Sequence, residues 1–326
     1  MTNFPLIPVI LGATATGKTA VGIELAKLMG GEVISVDSRK VYKYLPIGTA
    51  APRGEWVNGQ FLVANISHHL IGHLDPDQPY NAGDFSRDAE NLIGQILERG
   101  KLPLLIGGTG FYFKALAEGL PEIPPHDEKI RKELAGLLKE KGHQKLFADL
   151  KLIDPDAAGK ISPQDSHKLI RAMEVFKITG RPFSVWKKAA RKKTAFKFLV
   201  LGLHVNKSTL EKKIEARSRR MVAEGMIEET EAVLKKGFPK DCPALLSFGY
   251  REAVEVLEGK LSRPEFLTRL IKSTKSYAKR QLTWFRTQVK PVWFEGGENL
   301  EIGRLSLKMR DFLSNPREDL VYSSHA

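Results

Sequence analysis

The first apolar run of the chain, "PLIPVIL", is too continuous for a strand with one wet face and too short for a helix, which predicts a buried strand. A helical pattern follows from Lys18 to Leu28, and "EVISV" predicts a second strand. "DFSRDAENLIGQILERG" carries Phe85, Ala89, Leu92, Ile96 and Leu97 at helical spacing and stops at Gly100, after which "LPLLIGG" predicts a third strand. Strand and helix patterns thus alternate over the first 118 residues. That alternation predicts an α/β fold, a parallel sheet covered by helices.

The pattern then changes. From the Pro-rich "PEIPP" to about Lys197 the periodicity is helical throughout. "DEKIRKELAGLLKEKG" predicts a helix capped by Asp127 and stopped by Gly142, and "SHKLIRAMEVFKITG" puts Leu169, Ala172, Met173 and Phe176 on one face. A strand pattern returns in "FKFLVLGLHV", Phe196 to Val205, and long helices and a short strand, "PVWF", complete the chain. The organisation expected is a discontinuous core of residues 1–119 and 198–316, a helical insertion at 120–197 and a flexible tail at 317–326.

Charge adds a class of partner. Lys and Arg number 51 against 38 Asp and Glu, a net +13, which suits a polyanion. Two stretches carry much of this excess: Val175 to Leu210 has nine basic residues and no acid, and Phe266 to Phe294 has seven and none. In the second, Lys272, Lys275, Lys279 and Arg286 share a helix face, with Leu267, Ile271, Ala278, Leu282, Phe285 and Val289 on another. This reads as an amphipathic helix with a solvated face or, taken with the first stretch, as a phosphate-backbone surface. One cysteine, Cys242, excludes an internal disulfide and a cysteine-rich zinc site. The N-terminal apolar run lacks a cationic leader, and no stretch reaches the roughly 18 apolar residues of a membrane helix, so a cytoplasmic location is expected.

Candidate chemistry begins at "GATATGKT", Gly12 to Thr19, between the first strand and the first helix. Glycines at this spacing let successive N–H groups face one anion, with Lys18 as a point charge and the Thr19 hydroxyl available to Mg²⁺. Such loops serve nucleotides, small phosphorylated substrates and diphosphates, and an ATP-dependent kinase is the usual owner. The second strand ends at Asp37 and the third in "GGTG", which brings Thr109 to the same sheet edge, where ligands of open α/β sheets bind.

Eight ordered motifs then narrow the field: "GATATGKT", "ISVDSRKVYKYLPIGTAAP", "HHLIGHLDP", "YNAGDFSRDA", "PLLIGGTGFYFKAL", "RAMEVFKITGRPFS", "SFGYRE" and "YAKRQLTWFR". From about Ile7 to Arg286 the chain resembles the bacterial tRNA dimethylallyltransferases, also called tRNA isopentenyltransferases. The resemblance implies a P-loop α/β core with a helical insertion gripping the tRNA anticodon stem-loop. It implies transfer of a dimethylallyl group from dimethylallyl diphosphate to N6 of the adenine 3′ of the anticodon, in tRNAs reading codons that begin with U.

The loop of Gly12, Ala13, Thr14, Ala15, Thr16, Gly17, Lys18 and Thr19 would hold the diphosphate, with Mg²⁺ on Thr19. By the same resemblance Asp37 is the base, Thr109 and Lys18 act at the diphosphate, and Arg217 reaches it, with Arg219 and Arg220 as alternatives. The tRNA contacts implied are Asp37, Ser38, Arg39, Lys40, Gly110, Gln164, Asp165, Ser166, His167, Lys168, Ser247, Phe248, Gly249, Tyr250, Arg251, Lys279, Arg280, Gln281, Trp284 and Arg286, in a monomer.

The chain departs from the family at Lys40 (often Gln), Gly72 (usually Asp), Lys168 (commonly Arg) and Ala13 (usually Pro). His68, His69 and His73 have a spacing suggestive of metal, but without a nearby cysteine they are read as non-ligands. An adenylate isopentenyltransferase shares the core chemistry but typically lacks the insertion. A P-loop small-molecule kinase shares only the first three motifs.

Overall fold

The computed structural model describes residues 5–188, 194–296, 302–315 and 321–322. The chain opens with β1 (Leu6–Gly12), α1 (Lys18–Met29), β2 (Gly31–Val36) and a single turn α2 (Pro46–Thr49). Three short strands follow, β3 (Glu55–Val57), β4 (Gln60–Val63) and β5 (Ile66–His69), then α3 (Ala82–Glu98), β6 (Leu102–Gly107) and α4 (Gly110–Glu118). The inserted helices are α5 (Glu128–Ile153), α6 (Pro155–Ala158), α7 (Ser166–Thr179) and α8 (Phe183–Lys188). The chain continues through β7 (Lys197–His204), α9 (Lys207–Ala223), α10 (Met226–Lys235), α11 (Tyr250–Leu257) and α12 (Arg263–Trp284). A π-helical turn at Phe285–Val289, β8 (Val292–Glu295) and α13 (Ile302–Ser314) follow.

Among the described residues the strands form one sheet in the order β3-β4-β5-β2-β6-β1-β7-β8. It is parallel from β5 to β8, and the edge pairs β3-β4 and β4-β5 are antiparallel. Central β1 is buried beyond its first residue, and α1 and α13 cover one of its faces, with Ile10, Leu25, Ile106, Leu201, Met309 and Phe312 in one cluster. β1 pairs with β6 on one side and β7 on the other, and the carboxyl ends of β1, β2 and β6 open on one crevice. A second cluster of Leu45, Met226, Leu245, Tyr250, Phe266 and Leu270 packs the segment after β2 against α10, α11 and α12. No helix among the described residues is long and apolar enough to cross a membrane.

Two compact units result: Met1–Ala117 with Thr194–Ala326, and Glu118–Lys193. The second is all-helical in its described part, around Leu134, Leu146, Leu150, Leu169, Ala172 and Val175. Its boundaries lie near the 120 and 197 expected from periodicity.

Three local expectations are corrected. The strands β3 to β5 carried no legible pattern, since β3 is exposed along its length. In α3 Phe85, Ala89 and Ile96 are buried as expected and Ile93 joins them, while Leu92 and Leu97 are half-buried, and in α7 Val175 is buried where Phe176 is half-buried. Gly142 (φ 74°, ψ 170°) is non-helical and stops the first helical segment of α5 as expected, and a second segment runs on to Ile153. Of the segment read as a flexible tail, Val321 bridges to Leu199 and the Tyr322 N–H donates to Phe198 O at 2.8 Å; its other residues from 317 on lie outside the described residues.

Candidate active site

β1 runs directly into the loop that turns the chain onto α1. Gly17, in the left-handed region at φ 93°, forms the N-cap of α1 and leaves the first helical N–H groups facing outward. The loop is braced from within: Thr16 Oγ1 and Lys18 Nζ donate to the Ala13 carbonyl at 2.9 and 2.6 Å. Ala13 and Thr16 are buried, so they shape the cradle while Thr14, Ala15, Gly17, Lys18 and Thr19 line the cavity above it. From α9, Arg217 donates to the Thr14 hydroxyl. Of the three candidate arginines, Arg219 pairs instead with Glu215 at 2.8 Å, and Arg220 lines the cavity without that contact.

β2 delivers Asp37 to the same place. Its Oδ1 accepts the N–H of Arg39 at 2.9 Å and of Lys40 at 3.3 Å, a local turn that fixes the carboxylate. β6 delivers Thr109, whose hydroxyl accepts the Ser38 N–H at 3.1 Å and lies near the Tyr277 phenol. Burial, with Asp37 nearby, pushes the Tyr277 hydroxyl up to about 12, so it stays a donor at neutral pH. Arg39 lies 4.3 Å above the Phe248 ring and donates to Gly48 O at 3.0 Å.

The enclosed space is about 520 Å³, and among the described residues Asp37 is the only carboxylate lining it, against Lys18, Arg39, Lys40, Lys213, Arg217 and Arg220. Burial, then repulsion from Lys40, lowers Lys18 to about 7, with Asp37 opposing. Lys40 is lowered and Arg217 falls to about 10, burial again being the main cause. The Nε groups of Arg39 and Arg217 are buried without a partner. A bound polyanion would relieve both the repulsion and the orphaned donors. A larger, more open groove of about 1270 Å³ adjoins this cavity through Lys40, Ala50, Arg217, Arg220 and Met221.

The residues read as RNA contacts divide. Lys279, Arg280 and Arg286 are exposed at the end of α12 and the turn that follows it, and the Arg251 side chain is 63% exposed. Phe248 lines the cavity, and the Ser247 hydroxyl donates to Ala244 O. Tyr250 is fully buried, its hydroxyl between Leu45 O and Glu229, and Gly249 at φ 88° starts its helix; the Tyr250 side chain reaches no surface. Trp284 packs over Gly110, which has no room for a side chain. Gln281 is 7% exposed and bonded to Thr14 and Gly108.

In the helical unit, Gln164, Asp165, Ser166, His167 and Lys168 gather at the start of α7, where Asp165 caps the helix and pairs with Lys168 at 2.8 Å. The three histidines have separate surroundings. His68 is bonded to Ile66 O, His69 to Glu32, and His73 meets Tyr80 edge-on.

Sequence periodicity missed Thr274 and Tyr277. The buried stripe of α12 is Phe266, Leu270, Thr274, Ala278 and Gln281, continued by Phe285 and Val289, whereas Leu267, Ile271 and Leu282 are half-buried. Polar residues occupy a core stripe where a helix faces a site. The legible signal was that Thr274, Tyr277 and Gln281 continue the spacing of Phe266 and Leu270.

A phosphate loop, a strand-end carboxylate and converging buried cations define a phosphate-loop α/β protein built to hold a compact polyanion. The family model described as IPP transferase matches residues 40–288, and one described as isopentenyl transferase matches residues 5–63. The chain belongs to the IPP transferase family. It is 41% identical to the tRNA dimethylallyltransferase of Elusimicrobium minutum, over 85% of this chain and 90% of that one. The full-length tRNA isopentenylpyrophosphate transferase of Bacillus halodurans superposes with a TM-score of 0.67 at 34% identity, covering 96% and 97% of the two chains. A eukaryotic dimethylallyltransferase solved acting on tRNA gives 0.74 at 25% identity, covering 96% and 81%.

Proposed function

We propose that the chain transfers the dimethylallyl group of dimethylallyl diphosphate to N6 of the adenine 3′ of the anticodon, in tRNAs reading codons that begin with U. The observation that carries this reading is a cavity in a member of the IPP transferase family where Asp37, the one carboxylate among the described lining residues, faces six cations, five of them half-buried. The lone pair of N6 is delocalised into the ring, so attack is slow until its proton has somewhere to go. As the N6–C1 bond forms and the allylic C1–O bond breaks, the nitrogen becomes acidic and Asp37 takes the proton. The N–H groups of Arg39 and Lys40 hold that carboxylate in place.

The electrons of the broken bond go to the departing diphosphate, whose charge falls among Lys18, Arg217 and the loop N–H groups. The lining offers hard oxygen donors, Thr19 and Asp37, with neither Cys nor His among its described residues, which suits Mg²⁺ held mainly by substrate oxygens. Thr19 would hold that ion, which would supply charge neutralisation at the leaving group. A tRNA substrate supports a cytoplasmic location.

Incubation with dimethylallyl diphosphate, Mg²⁺ and unmodified tRNA, followed by digestion and mass analysis, should yield prenylated adenosine. Prenylated AMP or ATP in its place would move the reading to the adenylate enzymes. Robust ATP turnover without tRNA would move it to a kinase.

A further inference from the structure

The sequence groups Gln281 with the RNA contacts of "YAKRQLTWFR", but its position gives it other work. Its Oε1 accepts the Thr14 N–H of the phosphate loop at 2.8 Å, and its Nε2 donates to the Gly108 carbonyl at 2.8 Å, two residues 267 and 173 positions away in sequence. A Cβ at Gly108 would overlap the Gln281 amide, so the glycine before Thr109 leaves room for it. A primary amide donates and accepts at once; a carboxylate only accepts and an ammonium only donates, so neither could make both bonds.

We propose that Gln281 is a positioning residue that locks the phosphate loop to the turn carrying Thr109. The inference rests on the transferase reading above and deepens it. One bridge fixes the distance between the loop that holds the leaving diphosphate and the edge where Thr109 and Asp37 meet the acceptor. Small errors in that distance are costly in a displacement reaction. The bridge also removes the Thr14 N–H from the cradle, so the loop presents its anion site through the later N–H groups, from Ala15 to Thr19. An RNA bound to the exposed cations of α12 would hold the same helix that holds the loop.

The test is Gln281→Met, which keeps length and shape and loses both bonds, with Gln281→Asn, too short to span them, as the second variant. Affinity for inorganic diphosphate with Mg²⁺ is measured by calorimetry, tRNA affinity by filter binding, and Thr14 amide exchange by NMR. Expected for both variants are faster Thr14 exchange, diphosphate binding weakened about tenfold, a lower single-turnover rate, and tRNA affinity and melting temperature within about twofold and a few degrees of wild type. Lost tRNA affinity with unchanged diphosphate affinity would return Gln281 to the RNA contacts and overturn the proposal, as would wild-type diphosphate affinity in both variants. A wild-type chain that binds no diphosphate would instead sink the transferase reading itself.

Discussion

Asp37 follows its strand with no other acid among the described residues of the cavity, and two readings of it separate cleanly. As base, it must accept the N6 proton. Asp37→Asn keeps shape and accepts the same backbone N–H groups, yet cannot take that proton, so the single-turnover rate should fall about 10²–10⁴-fold. Diphosphate affinity, held by Lys18, Arg217 and the loop, should stay near wild type. As a metal holder, Asp37 would instead govern diphosphate affinity, and raised Mg²⁺ would partly restore the rate. Measuring both quantities across Mg²⁺ concentrations decides, and a near-normal rate removes Asp37 from the chemistry.

The residues named from the loop and strand ends were legible because phosphate binding needs fixed spacings along a continuous segment. Tyr277 and the role of Gln281 were not, because they reach the site from far along the chain through a helix whose polar residues look solvent-facing.

Elements differ in how much of their reason is written locally. Gly142 reads as a helix stop, and its backbone (φ 74°, ψ 170°) lies in a region that only glycine occupies at ease. The resumption of helix after it, from packing of Leu146 and Leu150, needs tertiary context. Gly142→Ala should destabilise the helical unit by about 1–3 kcal/mol. Amide exchange should rise in α5 to α8, with diphosphate affinity unchanged; equal exchange in the two proteins would contradict this account.

At the opposite end of β2 from Asp37, buried Glu32 receives His69 at 2.7 Å, Arg99 at 2.8 Å and Lys101 at 3.1 Å. Burial raises its pKa, but these three donors outweigh burial and hold it at about 2, against 4.5 unperturbed. Between those values the unfolded chain binds a proton that the native one does not. The stabilisation is therefore full above 4.5 and is lost as pH falls towards 2. Arg99 and Lys101 are 41% and 51% exposed, so solvent screening leaves about 1–2 kcal/mol. The gap in unfolding midpoint between wild type and Glu32→Gln should narrow from about pH 6 to about pH 3; a constant gap would remove Glu32 as an acid-sensitive clamp.

On the scale of the whole molecule, the change from alternating to purely helical periodicity made the two units legible. The sheet's antiparallel edge stayed hidden because β3 to β5 are short and β3 buries nothing. Charge was only half legible, since sequence shows acid-free runs but not the acids brought to them by folding. Lys177 pairs with Glu133 at 2.5 Å, Lys188 with Asp156 at 2.7 Å, Arg269 with Glu255 at 2.9 Å and Lys275 with Glu211 at 3.7 Å. The basic residues of these two runs therefore overstate the charge they offer to a phosphate backbone, whereas the net +13 already counts the acids that pair with them.

Lys279 and Arg286 remain exposed on the outer side of the element that holds the phosphate loop. Each phosphate they neutralise releases a counterion, so log affinity for tRNA should fall linearly with log salt. Removing both by Lys279→Gln and Arg286→Gln should reduce that slope by about 1.4–1.8. Affinity for inorganic diphosphate, bound in the interior cavity, should hardly change. Replacing residues 118–193 by a short linker, in a protein whose circular dichroism and diphosphate binding confirm a folded core, should flatten the slope further and lower tRNA affinity. An unchanged slope in both proteins would mean that tRNA is held by some other surface.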